Sequence, residues 1–122
     1  MNLDKSTKIQ ELKEIIKKFR DERDWKQFHD PKNLAEAIAI EVGELQQKFL
    51  WKDVKEVKKE MENLEFFNEV EEEFADVIIF CLNFANATGI DISRTVKNKI
   101  KKNSKKYPIG KARGIAVKYD KL

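Results

Sequence analysis

Glu41-Val42-Gly43-Glu44-Leu45 and Glu72-Glu73-Phe74-Ala75-Asp76-Val77-Ile78 each hold two acids three residues apart inside an apolar periodicity. At that spacing both carboxylates leave the same helix face, with Cβ atoms about 5–6 Å apart. With Leu34 at zero and 100° per residue, the apolar residues Ala37, Ile38, Val42, Leu45 and Phe49 form one stripe. Glu41 falls inside that stripe at about −20°, and Glu44 lies on its border at about −80°. With Val70 at zero, Glu73 falls at about −60° among Val77, Phe80 and Phe84, and Asp76 at about −120° beside Asn83. Each pair therefore has one member in the core face and one at its edge.

Around these two segments the chain reads as helical throughout. It has 122 residues, 41% hydrophobic and 39% charged, with only four Gly and two Pro. That length suits one domain with a modest core, and so few chain breakers favour long helices. Strand alternation and internal repeats are lacking. Thr7 and Gln10 read as a capping box for a first helix with Ile9, Leu12, Ile16 and Phe19 on its inner face. It frays near Asp24, and Trp25–His29 reads as a loop or broken turn. Asp30 and Pro31 open a second helix that runs to about Leu50. Asp53 with Glu56 opens a short helix carrying Val57, Met61 and Leu64. Asn68 with Glu71 signals the start of a long helix that ends at Gly89. Asp91 opens the last helix, with Ile92, Val96 and Ile100 facing inward, and Pro108 stops it. An irregular basic tail follows. These boundaries give two parts of one domain, a bundle over residues 1–107 and a tail over 108–122.

The net charge of +3 conceals an asymmetry. Residues 1–96 hold 15 Lys+Arg against 21 Asp+Glu, whereas residues 97–122 hold 10 basic residues and one acid. An acidic body with a basic C-terminal arm suits a metal on one side and phosphates on the other, or simply a well-solvated charged surface. Cys81 is the only cysteine, so no intramolecular disulfide forms, and its apolar run Val77–Leu82 marks it as a small core residue. The first residues lack the apolar stretch of a signal peptide. No apolar run approaches the roughly 20 residues of a membrane span. A cytoplasmic protein with no membrane partner is expected.

An unpaired buried carboxylate costs several kcal/mol, on the order-of-magnitude scale of buried ions, and four together also repel. Basic partners, protonation or a metal would relieve this, and Lys48 is the nearest base by helix position. The plain alternative is that these acids are solvated or paired with lysines. If a metal is bound, zinc is a poor fit because the chain has one Cys and one His. A di-iron site is a poor fit because each fourth position is Glu44 or Asp76 rather than His. Oxygen-only ligands select Mg²⁺, with Mn²⁺ a possible substitute, and Mg²⁺ commonly holds substrate phosphates. There is no Gly-x-x-x-x-Gly-Lys-Ser/Thr loop. Phosphate ligands would come instead from Lys99, Asn103 and Tyr107, which recur every four residues on the last helix. Lys99 and Tyr107 have ordinary alternatives, a solvated lysine and a helix-end packing aromatic. A different class of function also fits the charge: a non-enzymatic helical interaction module whose tail binds nucleic acid, although no groove-reading motif is present.

The ordered set Glu41-x-x-Glu44, Glu73-x-x-Asp76 and Lys99-x-x-x-Asn103-x-x-x-Tyr107-Pro108 resembles the MazG-like all-α nucleoside triphosphate pyrophosphohydrolases. The resemblance extends through Glu22-Arg23-Asp24-Trp25-Lys26-Gln27-Phe28-His29-Asp30-Pro31 and Phe49-Leu50-Trp51, and covers roughly residues 9–119. It is closest to the small single-domain branch that includes dCTP pyrophosphatase. It implies an all-α, MazG-like antiparallel bundle of four to five helices, assembled as a homodimer or homotetramer. It also implies cleavage of a nucleoside triphosphate between the α- and β-phosphates. In that family Glu41, Glu44, Glu73 and Asp76 would bind Mg²⁺, with Glu41, Glu44 and Glu73 acting in catalysis. Lys99, Asn103 and Tyr107 would hold phosphates or sugar, and Trp25 and Trp51 would flank the base. Ile16 departs from the dCTP-specific pattern, which has His there, so cytosine specificity is not implied. His29 reads as a loop-shaping residue beside Pro31.

Overall fold

Side-chain caps set four of the helix starts. Asp30 accepts the Asn33 N–H at 2.8 Å and opens α2 (Pro31–Gln47), with Pro31 in the first turn. Asp53 accepts from Glu56 at 2.8 Å and opens α3 (Val54–Glu60). Asn63 accepts from Phe66 at 3.1 Å and opens α4 (Leu64–Thr88). Asp91 accepts from Arg94 at 2.8 Å and opens α5 (Ile92–Lys106). Each satisfies an amide that the first turn would otherwise orphan. Before them runs α1 (Ile9–Glu22), and after them a one-turn α6 (Ile109–Ala112). The computed structural model describes Asn2–Leu122, is all-helical in those residues, and leaves Met1 outside.

Several boundaries differ from the sequence reading. The Thr7 capping box does not form. The Ser6 and Thr7 amides bond the Leu3 carbonyl in a preceding 3-10 turn, so α1 starts from Lys8 without a side-chain cap. The Trp25–His29 segment contains a 3-10 turn over Lys26–Phe28. α2 ends at Gln47 because Lys48, Phe49 and Leu50 tighten into i→i−3 bonds. The cap of the long helix is Asn63 rather than Asn68, so Leu64 belongs to α4. Gly89 ends α4 at φ 77°, in the left-handed region, donating its N–H to Ala85. The tail beyond Pro108 is less irregular than expected, with α6 and a 3-10 turn at Tyr119–Lys121.

The chain divides into two compact units, Met1–Gly89 and Ile90–Leu122. In the first, α4 packs against α2 and α1. The α2–α4 pair is antiparallel: Lys48 at the end of α2 meets Glu69 near the start of α4 at 3.1 Å, and Glu41 one to two turns earlier meets Glu73 and Asp76. On the α1 side, Asn86 donates to the Lys13 carbonyl at 3.0 Å. Among the described residues Leu34, Leu82 and Ala85 are the buried apolar ones, and Arg20 and Asn83 are buried with them. Burial stops there. Phe19, Val42, Phe74 and Ile78 are exposed, as is Cys81, which therefore is not the core residue its apolar run suggests. In the second unit, Tyr107 meets Tyr119 edge-on at 6.2 Å and Lys106 lies over the Tyr119 ring. Val96 and Ile100 are exposed rather than inward-facing.

Candidate metal centre and adjoining cavity

The antiparallel register of α2 and α4 brings carboxylates from both helices together. One oxygen each from Glu41, Glu73 and Asp76 lies within 4.8 Å of the others. Glu41 and Glu73 are half-buried, whereas Asp76 is exposed. One oxygen of Glu41 and one of Glu73, both Oε2, are buried without a hydrogen-bond partner. Glu44, one turn beyond Glu41, stands exposed at the edge of this group. It is close enough to act on both Glu41 and Glu73.

Electrostatics follow from that crowding. Burial, with Glu44, Asp76 and Glu73 alongside, raises the Glu41 carboxyl above its ordinary range. Burial also raises Glu73, helped by Glu44 and Asp76 and opposed by the Lys48 ammonium. Lys48 is itself engaged by Glu69 at 3.1 Å, so it does not neutralise the group. Two orphaned, inward-facing oxygens amid like charges are what a divalent cation would relieve. The donors are all hard oxygens, which fit Mg²⁺ or Mn²⁺ and fit zinc poorly.

A cavity of about 330 Å³ adjoins the carboxylates, because Asp76 forms part of its wall. α1 supplies Ile15, Ile16 and Phe19, α4 supplies Ile79 and Phe80, and Trp25 completes the apolar lining. Trp25 packs edge-on against Phe19 at 5.9 Å. Three polar groups break this apolar lining: Arg20, His29 and Asn83. Arg20 and Asn83 are each only 5% exposed. Arg20 donates from Nε and Nη2 to Asp21 Oδ1, both at 2.8 Å. Asn83 Oδ1 and His29 Nδ1 are both buried, and the Asn83 side chain is the hydrogen-bonding neighbour of His29. Burial and the Arg20 cation lower the His29 pKa below 6.5, with the nearby Asn83 side chain opposing.

The remaining sequence candidates are placed as follows. Trp25 lines the cavity beside Asp76. Trp51 is 91% exposed in the link between α2 and α3, with a left-handed φ of 64°. Lys99 and Asn103 share one face of α5 in the second unit, and Tyr107 caps its C-terminal end, its N–H donating to the Asn103 carbonyl at 2.8 Å. The sequence reading did not single out Arg20, and it gave Asn83 and His29 no role at a site. The signal for Arg20 was present: it follows Ile16 by four residues, which places a cation on the apolar stripe of α1. Asn83 follows Asp76 by two turns on the same face of α4.

The MazG-like family model matches residues 36–122. The chain is 35% identical over 114 residues to dCTP pyrophosphatase 1 of Rattus norvegicus, covering 93% of this chain and 67% of that protein. It is 33% identical over 114 residues to the Homo sapiens protein of the same name, with the same coverage. Among solved structures it is similar to a pyrophosphatase from Archaeoglobus fulgidus DSM 4304, with a TM-score of 0.76 and 42% identity. That match covers 82% of this chain and 92% of the other.

Proposed function

The chain belongs to the MazG-like family, and on that footing we propose that it hydrolyses nucleoside triphosphates to the monophosphate and pyrophosphate with Mg²⁺ as cofactor. The observation that carries this reading is the meeting of Glu41, Glu73 and Asp76 across two helices, with two carboxylate oxygens left unsatisfied. Glu41, Glu44, Glu73 and Asp76 form the proposed metal set. When bound, the cation would neutralise phosphate charge and lower the pKa of water. Glu41, Glu44 and Glu73 are the proposed catalytic carboxylates. A carboxylate at the edge of the metal site is suited to orient an attacking water and accept its proton.

Lys99, Asn103 and Tyr107 are assigned to the phosphates and sugar, and Trp25 and Trp51 to the base, where an indole face stacks with little demand on sequence. The family model covers residues 36–122, the later part of the first compact unit and all of the second. We read residues 1–107 as the catalytic bundle and 108–122 as its basic tail. Apolar side chains left exposed, such as Phe74 at 55% and Ile40 at 63%, support a homodimer or homotetramer. Among the described residues no single helix is long and apolar enough to cross a membrane. We assign it to the cytoplasm, acting on the nucleotide pool.

The test is product analysis. Purified protein with Mg²⁺ and a (d)NTP should release monophosphate and pyrophosphate in equal amounts. Release of free phosphate instead, or equal turnover by Glu73→Gln, would contradict the reading.

A further inference from the structure

The segment beyond Pro108 is a folded return rather than a loose arm. α5 ends before Pro108, α6 makes one turn, and the Ile115 N–H bonds the Ala112 carbonyl around Gly114, which has a left-handed φ of 76°. The return brings Tyr119 against two consecutive residues at the end of α5. Its ring meets Tyr107 edge-on at 6.2 Å, and Lys106 Nζ lies 4.8 Å from its centre. An ammonium over an aromatic face is held by the ring quadrupole, and the contact needs the ring rather than its hydroxyl. Among the described residues no carboxylate pairs with Lys106.

Helix geometry says which way this lysine serves. With Lys99 at zero and 100° per residue, Asn103 falls at about +40° and Lys106 at about −20°, so all three share one face of α5. Lys97, Lys101 and Lys105 lie at least about 120° away. Lys102 borders the face at about −60°, but among the described residues no ring confines it. A lysine has three donors and no acceptor. The ring occupies one side of the Lys106 ammonium and leaves the rest for an anion. A free lysine loses rotamer freedom when it engages a ligand. A ring that already confines it removes part of that loss before the ligand arrives. A cation here also complements the C-terminal end of the helix dipole, but that role needs no ring. We propose that Lys106 is a further phosphate-binding residue and that Tyr119 is its positioning residue. The Tyr119 ring holds the ammonium on the Lys99–Asn103 face, where it binds an oxygen of the triphosphate. This rests on the pyrophosphohydrolase reading for the ligand, and a binding measurement separates it from turnover.

The experiment measures Kd by calorimetry in Mg²⁺ for the full-length chain and its variants. The probe is the α,β-imido analogue of the dNTP that product analysis finds turned over fastest, or inorganic tripolyphosphate if none is turned over. Lys106→Gln should raise Kd about tenfold, the low end for a hydrogen bond to a charged group. Tyr119→Leu keeps an apolar side chain and removes the aromatic face. It should raise Kd about two- to fivefold, the scale of an exposed cation–π contact. Tyr119→Phe keeps the face and should bind like wild type. In the Lys106→Gln background Tyr119→Leu should add no further loss, because it acts through the lysine. Circular dichroism establishes which variants fold, and Lys106→Gln and Tyr119→Phe decide if Tyr119→Leu does not. An unchanged Kd in Lys106→Gln overturns the proposal. So does a loss in Tyr119→Phe equal to that in Lys106→Gln, or a Tyr119→Leu effect that is absent or that persists in full without Lys106. If no dNTP is turned over, the reaction reading fails and the tripolyphosphate titrations decide. Weaker binding in Lys106→Gln, with Tyr119→Phe like wild type, then upholds the phosphate site, and equal or undetectable binding throughout overturns it.

Discussion

Asp76 and Asn83 lie two turns apart on α4, and each puts a polar side chain on a largely apolar face, but the surroundings answer them differently. Asp76 is exposed and faces Glu41 and Glu73, so the local problem is like charge. Asn83 is buried beside a cavity whose walls are mostly apolar, so the local problem is the desolvation of a polar group that has His29 as its neighbour. The first situation calls for a cation and the second for none. One helix thus positions a chemical centre and a recognition pocket by a shift of seven residues.

The largest expected effect separates the two regions. Glu73→Gln removes a carboxylate from the centre and should lower kcat by about 10²–10³, the scale of losing one preorganised charge-stabilising group. Steady-state pyrophosphate release measures it, with circular dichroism showing that the helices remain. Substitutions in the pocket should alter discrimination between bases more than the maximal rate.

Metal linkage is next. Mg²⁺ at 100 times its Kd should stabilise the fold by about 2.7 kcal/mol, read as a rise in Tm that EDTA reverses. Glu41→Gln should lose most of that rise, whereas Asn83→Leu should keep it. A Tm indifferent to Mg²⁺ would remove the distinction between the regions.

The pH dependence of the metal-free protein sharpens the contrast. Glu41 and Glu73 have raised pKa values in the folded state, so between their unfolded and folded values the native chain binds more protons than the unfolded one. Stability must then fall as pH rises through that window. Glu41→Gln should flatten the slope and raise the Tm of the metal-free protein at neutral pH. His29 has the opposite signature: its pKa is lowered, so its contribution is intact above 6.5 and is lost as pH falls below it. His29→Gln should flatten that acid limb. Thermal melts across pH 4–8 in EDTA measure both, as on the order of one kcal/mol is resolvable by a shift of a few degrees.

A local control comes from the entry to α2. Asp30→Ala deletes the cap bond to Asn33 and should cost about 1 kcal/mol, while leaving base preference unchanged. A change in base preference would mean that the cap sets pocket geometry.

How much of this was legible in the sequence depended on repetition. The acidic pairs recur with the same spacing on two helices, so a wheel projection is enough to find them. Asp30, Asp53 and Asp91 were legible as caps because a short acceptor precedes an apolar run. Asn63 was missed because Asn68 offers the same chemistry five residues later, and only tertiary packing chooses between them. Arg20 and Asn83 are single polar residues on two different helices, and their meeting around a cavity depends on how α1 and α4 pack. The exposure of Cys81, Val96 and Ile100 was not foreseen either, since periodicity identifies an apolar face and does not say what covers it.

The central claim is that carboxylates from α2 and α4 share one divalent cation. Anomalous diffraction from Mn²⁺-soaked crystals tests it most directly. A peak bounded by Glu41, Glu73 and Asp76, absent in Glu41→Gln/Glu73→Gln, is the predicted result. No peak between those helices in the wild-type protein would contradict the account.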